Sequence, residues 1–329
     1  PEPKNPTPSA MIYQNTVAQP RQELTDVIME SITLDEMFIG LKVLPPAPLK
    51  LPTGHVPKIT VAMGDSMRAT GKHRKPGALF DRWQSAVSDA ALVLEQVAEE
   101  LQIPDEQALI YDDYFAFEQV YAKECTNRLR RGVELDVAAT VFNQSTFTHV
   151  AALVAYTHAN LATITAVEDI LAAIRRVKGL GERANTLVFP GPVFDRIRIT
   201  PDMKSFVAGS VNPGARVTAG TIQMAFEPHG IKSVLIADGY VNQSEPGKND
   251  VINLMWPTTE VGVFSCMEGQ LLAGGIGRTF WWEKEGPLFN IQSYRDEPRK
   301  SNVIRALHTT LEGITNSRCG TLIDTNYTP

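Results

Sequence analysis

The stretch EQALIYDDYFAFEQVYAKECTNRLRRGVELDVAATVFN, residues 106–143, decides how the rest of the chain is read. Ile110, Tyr114, Phe117, Tyr121 and Cys125 recur at helical spacing, and Leu129 and Val133 continue the stripe. Asp112, Asp113, Glu118, Lys123, Glu124, Arg128, Arg130 and Arg131 fall mostly on the other face. The pattern predicts one amphipathic helix of roughly 40 Å up to Gly132, well beyond the mean globular helix of about 11–12 residues. A helix of that length usually spans something, though this stretch alone equally fits an ordinary core helix of a large α/β domain, and Gly132 is where it is expected to end or bend.

Working outward, residues 1–9 (PEPKNPTPS) are proline-rich and predict an extended arm. ELTDVIMESI (23–32) is a short helical candidate opened by acidic residues. LPPAPLKLPTGHVP (44–57) sets five prolines around Leu49 and Leu51, which forbids regular helix and favours an extended path over a neighbouring surface, another subunit included. KITVAM (58–63) is a strand by alternation, and a polar, basic, glycine-bearing loop follows it. Residues 88–103 are ambiguous: composition favours helix, whereas Leu92, Leu94, Leu101 and Ile103 also fit alternation in two pieces.

After the long helix, TAVEDILAAIRRVKGLG predicts a helix with Thr165 as N-cap and Glu168 at the capping-box position. NTLVFPGPVFDRI is a short strand ended by Pro190, a turn and a helical turn or two. SVLIADGYVN and NDVINLMWP are strands about a polar loop, with VGVFSC, GRTFWWE and LFNIQSYRDE as further strands. Strands and helices without regular βαβ alternation make the class α+β.

Composition narrows the function classes. A chain of 329 residues supports a sizeable core and two lobes. A formal charge of -6 leaves no electrostatic footprint for wrapping nucleic acid. Cys125, Cys266 and Cys319 are far apart, with no CxxC or Cys/His ligand spacing, so reduced, buried thiols in a cytosolic product are expected. The sequon at Asn143 is then a chance match. No apolar run reaches the roughly 18 residues that cross a bilayer. The chain opens on Pro1, from which prior removal of an initiator Met or a longer leader is expected.

The enzyme-like motifs do not complete themselves. MGDSM (63–67) resembles the nucleophile block of GDS-type serine hydrolases, with Ser66 as nucleophile. That chemistry needs a late Asp-x-x-His, and none of His55, His73, His149, His158, His229 or His308 has Asp three residues before it. GGIGR (274–278) lacks the third glycine of a dinucleotide loop and the GK[ST] of a P-loop, and an aromatic strand follows it, so it is a tight turn. Of Phe280, Trp281 and Trp282, at least one is expected in the core. Asp112 and Asp113 are adjacent helix positions and do not face each other as an acid/base pair.

Four segments, taken in order, carry a resemblance: GVELDVAATVFN (132–143), VEDILAAIRRVKGLGERANTLVFPGPVFDRI (167–197), SVLIADGYVNQSEPGKNDVINLMWP (233–257) and FNIQSYRDEPRKSNVIRALHTTLEGITNSRCGTLID (289–324). Together they resemble the major capsid protein of tailed bacteriophages, with its glycine turn, Asn-Thr-Leu-Val strand, Pro-Xaa-Val-Phe helix start, late Tyr-Arg-Asp-Glu strand and closing Gly-Xaa-Leu-Ile. The resemblance implies the Hong Kong phage-like capsid fold: an N-terminal arm (1–56), an E-loop β-hairpin (57–103), a peripheral domain with a long spine helix (104–143 plus 287–329) and an axial domain (144–286). It makes residues 92–103 the returning strand of the hairpin, paired with 58–63 against their propensity.

The implied role is a structural subunit, without enzymatic activity or cofactor, that self-assembles as pentamers and hexamers into an icosahedral shell around double-stranded DNA. Encapsulin-type nanocompartments share the fold. Implied partners are further copies of the chain, a portal, scaffold or decoration proteins, and weak sequence-independent contact with packaged DNA, with no membrane. The implied location is the virion capsid, assembled in the bacterial host cytoplasm. Carried onto this sequence, inter-subunit contacts fall to Arg68, Lys72, His73, Arg74 and Lys75 at the hairpin tip, and to Leu49, Leu51 and Pro52 in the arm. Some members of the family weld subunits through an isopeptide bond from an E-loop lysine, for which Lys72 or Lys75 is placed; no pattern fixes the asparagine acceptor.

Overall fold

The computed structural model describes residues 18–26, 28, 37–58, 88–111, 117–210, 216–245, 247–269 and 274–327. The chain divides into two units. The first takes Pro1–Leu34, Gln96–Leu129 and Glu285–His308; the second takes Asp35–Glu95, Arg130–Lys284 and Thr309–Pro329. The class is α+β, as the sequence predicts.

The first unit is built on a β-hairpin. Asn290–Asp296 pairs antiparallel with the start of Ser301–Ile314, from Asn290 opposite Leu307 to Asp296 opposite Ser301. Lys300 closes the connecting turn with φ 45°, a left-handed conformation that glycine would adopt more cheaply. Gln19–Pro20 adds at one side, opposite Ser293 and Gln292. Glu95–Pro104 pairs with the Ser301–Ile314 strand, and Gln102 Nε2 donates to Ser301 Oγ at 2.7 Å.

The structure thus bears out the extended reading of 92–103 but changes its partner. The expected pairing with 58–63 is replaced by two pairings. Ser88–Val93 pairs with Thr53–Lys58, and Glu95–Pro104 with the late strand. Ladder hydrogen bonds to an existing sheet outweigh the few tenths of a kcal/mol per residue by which Ala, Leu and Glu prefer helix. Leu24, Ile28, Ile103, Ala122, Ile291 and Ile304 form the core of this unit.

Around that core, Arg295 grips Asp105 through both carboxylate oxygens at 2.5 and 2.6 Å. This bidentate pair holds the Asp105 carboxyl below its ordinary value. Its stabilisation is therefore present above about pH 3.8 and is lost as pH falls through the lowered folded-state value. Arg295→Ala should flatten the acid limb of stability, followed as urea midpoints between pH 3 and 5. An acid limb identical to wild type would show that the pair contributes nothing.

The long helix is present as Asp105–Tyr111 and Phe117–Val141. Its predicted stripe is buried at Cys125, Leu129 and Val133 and continues to Val137 and Val141. The expectation at Gly132 is corrected: the helix runs through it for nine more residues. Gly132 is exposed and a Cβ there would meet nothing, so neither packing nor conformation makes it a break. Its propensity cost of about 1 kcal/mol is outweighed by the buried valines that follow.

In the second unit a five-stranded sheet runs in the order Thr148–Ala151, Gly320–Asp324, Glu260–Phe264, Thr186–Pro190, Ser233–Ala237. The outer pairings are parallel and the inner two antiparallel. Leu187, Phe189, Val261, Val263 and Ile323 pack against the helices Ala166–Gly179, Gly191–Ile199, Pro201–Ser210 and Ala219–Phe226. On the other face Phe264 lies 5.5 Å from Phe147 and 6.4 Å from Phe142, ring to ring. Cover on both faces explains why Thr186–Pro190 and Glu260–Phe264 are buried at every residue.

Thr165 corrects a second expectation. It occupies the N-cap of Ala166–Gly179, but its side chain caps nothing and its Oγ1 is buried without a hydrogen-bond partner. Asp202, from another helix, accepts from the Val167 N–H at 2.9 Å instead, and Glu168 pairs with Arg175 at 2.8 Å. A carboxylate at a helix N-terminus is a stronger acceptor than a hydroxyl, and tertiary packing supplies it here.

Candidate assembly interface

The arm segment of the second unit is fastened within its own chain. Pro46–Leu49 runs parallel to Gly277–Trp282, with Ala47 beside Phe280 and Leu49 beside Trp282. Thr279 donates its N–H to Pro45 O at 3.2 Å and its hydroxyl to Leu44 O at 3.0 Å. Pro46 and Pro48 have no N–H to offer on the outer side, so this sheet edge resists further strand addition.

Just upstream, Glu134 of the long helix is buried, with three donors on its carboxylate. Ile39 N–H donates to Oε1 at 3.1 Å, Trp256 Nε1–H to Oε1 at 2.6 Å and Gly40 N–H to Oε2 at 2.7 Å. Burial raises the Glu134 carboxyl above its ordinary value, while those three donors and the Arg130 charge pull it back. Arg130 lies 4.2 Å above the Phe38 ring, and Phe142 meets Trp256 edge-on at 5.1 Å. Gly40 is required by close approach, since a Cβ there would sit 2.6 Å from Glu134 Oε2.

The hairpin base follows. Thr53–Lys58 and Ser88–Val93 pair antiparallel with Val56 opposite Ala90, and Leu94 N–H donates to Pro52 O at 2.9 Å. Val56, Leu92 and Leu94 pack with Ala47 and Phe280, and Leu49, Trp282 and Leu311 flank them. The opposite side of the base is open, with Leu51 63% exposed and Val93 58%, beside exposed Thr53 and His55. A second apolar ribbon, Tyr240–Asn242 paired with Ile252–Leu254, presents Tyr240, Val251 and Ile252 to solvent.

Of the predicted contact residues, Leu49 is half-buried in the chain's own cluster, Pro52 is half-buried and Leu51 projects outward. Arg68, Lys72, His73, Arg74 and Lys75 lie outside the described residues, as does Ser66. The aromatic triplet resolves as expected, with Phe280 fully buried and both tryptophans half-buried, and GGIGR is a turn with φ 79° and 94° at Gly274 and Gly275. Sequence reading missed Glu134 and Arg130. Their signal was two charges four residues apart flanking Leu129 and Val133 in the apolar stripe. Among the described residues no group of His, Cys, Asp and Glu is arranged to hold a metal ion, and no helix is long and apolar enough to cross a membrane.

No protein-family model matches the sequence, and no curated protein sequence matches it. Solved structures do. The chain is similar to a phage-related protein from Bordetella bronchiseptica, at 14% identity and TM-score 0.70, over 95% of this chain and 99% of that one. It is similar to the capsid protein of cyanophage P-SCSP1u at 12% identity and TM-score 0.57, over 88% of each chain. The capsid protein of the native GTA particle matches at 14% identity and TM-score 0.56, over 89% of this chain and 91% of that one. The fold defined by the two units is therefore that of phage capsid proteins, as the sequence resemblance implies.

Proposed function

We propose that this chain is the structural subunit of an icosahedral shell enclosing the double-stranded DNA of a tailed bacteriophage, assembling with itself as pentamers and hexamers. The observation that carries this reading is the shared fold over nearly the whole length of both chains, in structures described as capsids. The exposed Leu51 and Val93 at the hairpin base and the exposed ribbon at Tyr240 and Ile252 support it as surfaces suited to neighbouring copies. In this reading residues 1–56 are the arm, 57–103 the E-loop, 104–143 with 287–329 the peripheral domain and 144–286 the axial domain. A portal and scaffold or decoration proteins complete the partners. Contact with packaged DNA is weak and sequence-independent, in keeping with a formal charge of -6. The place of action is the virion capsid, after assembly in the bacterial host cytoplasm.

Electron microscopy of the purified protein tests the class: closed shells are expected, and a uniformly monomeric protein under all conditions would overturn it. Nucleic acid inside shells from infected or induced cells separates a phage capsid from a protein-filled compartment. Deleting residues 68–75 should leave circular dichroism and the melting temperature of the unassembled chain unchanged while shells form poorly or fall apart at lower denaturant. Shells as durable as wild type would remove the hairpin tip from the interface.

A further inference from the structure

We propose that Glu95, Asp136 and Glu312 form a proton-operated latch, closed on the hairpin base while Glu312 carries a proton and open once it ionises. The three carboxylates all belong to the second unit and come from three different elements. Glu95 opens the strand that follows the hairpin, Asp136 lies on the long helix and Glu312 on the late strand. Strand register puts Glu312 opposite Thr279, with Trp281 opposite Thr310 on the same face, and Pro46 and Pro48 beside them from the arm. All of these neighbours are uncharged. The charges that act on Glu312 are those of Asp136 and Glu95, both negative, and the charge acting on Asp136 is that of Glu95. Thr310 gives Glu312 a side-chain hydrogen bond, yet Glu312 Oε1 is buried with no partner.

Such a cluster has one comfortable state, with a proton on Glu312. Burial, reinforced by the two like charges, pushes that carboxyl up to about 7 from 4.5. The sign follows. Between these values the folded chain binds more protons than the unfolded one, so the stabilisation is fully present below about pH 4.5 and is lost as pH rises to about 7. Above that, three carboxylates repel across the junction. The repulsion acts on Glu95, directly attached to Leu94, whose N–H holds Pro52 O and whose side chain packs with Phe280. The hairpin base is the part that yields.

Hydrogen–deuterium exchange on the full chain tests the latch. Peptides covering residues 53–58 and 88–95 are compared at each pH with the same peptides in the urea-unfolded chain, which cancels the chemical pH dependence of exchange. Wild-type protection should fall about tenfold or more between pH 5 and pH 8. Glu312→Gln should stay protected across that range, and Asp136→Asn, at an exposed position, should move the fall to lower pH and make it shallower. Both changes come from the lost like charge, which eases ionisation of Glu312 and leaves less repulsion to open the base. A flat wild-type profile, or a fall in Glu312→Gln as deep as wild type, would overturn the proposal. The measurement reads opening within one chain, so its failure is distinct from a failure to form shells.

Discussion

Glu134→Ala is expected to destabilise the second unit by about 3–5 kcal/mol, the range for breaking a buried, charge-assisted network. The substitution strands three donors at once: the N–H groups of Ile39 and Gly40 and the indole N–H of Trp256. Each buried donor left unpaired costs about 1–3 kcal/mol, partly recovered where water enters. Glu134→Gln should cost less, since its amide oxygen still accepts, while its NH2 faces donors and adds a repulsion. Urea unfolding of the unassembled chain, followed by tryptophan fluorescence, measures both. A loss under about 1 kcal/mol for the alanine variant would mean that the arm does not depend on this carboxylate.

Phe280→Ala should cost about 3–5 kcal/mol, the usual price of truncating a buried aromatic ring. Phe280 is fully buried and joins the arm strand, through Ala47, to the hairpin base, through Val56, Leu92 and Leu94. Its ring also explains a small residue on the directly paired strand, where Gly313 lies opposite Arg278: a Cβ on Gly313 would sit 2.7 Å from the Phe280 ring. Gly313→Ala should therefore be destabilising in the wild-type background and much less so beside Phe280→Leu, a coupling that a double-mutant cycle reads directly. Additive losses would place the methyl group elsewhere. The same truncation should weaken protection of the hairpin base before it lowers global stability, because Phe280 is the large fully buried side chain of the cluster on which the base packs.

Much of the secondary structure was legible in the residues. The stripe through Cys125, Leu129 and Val133, the strand ended by Pro190 and the glycine turn at Gly274 and Gly275 were each set by local chemistry: helical spacing, a fixed φ, or freedom at positive φ. The sequence resemblance then ordered these pieces into one fold. What failed locally is instructive. Thr165 has every credential of a cap and makes no capping bond, because Asp202 from another helix takes the N-terminus. Gly132 looked like a break and is not one, because Val133, Val137 and Val141 bury the next turns.

By itself, then, the sequence determined the α+β class, most element types and which face of the long helix is apolar. Tertiary structure alone decided the partners. Residues 92–103 are extended as the resemblance required, but the hairpin takes only the first of them and the late strand takes the rest. Glu134 became the anchor of an arm segment more than ninety residues earlier in the chain. The physical reason is that periodicity records how a residue faces relative to its own neighbours, whereas pairing between distant segments is fixed by register, and a buried charge by the donors that packing brings to it.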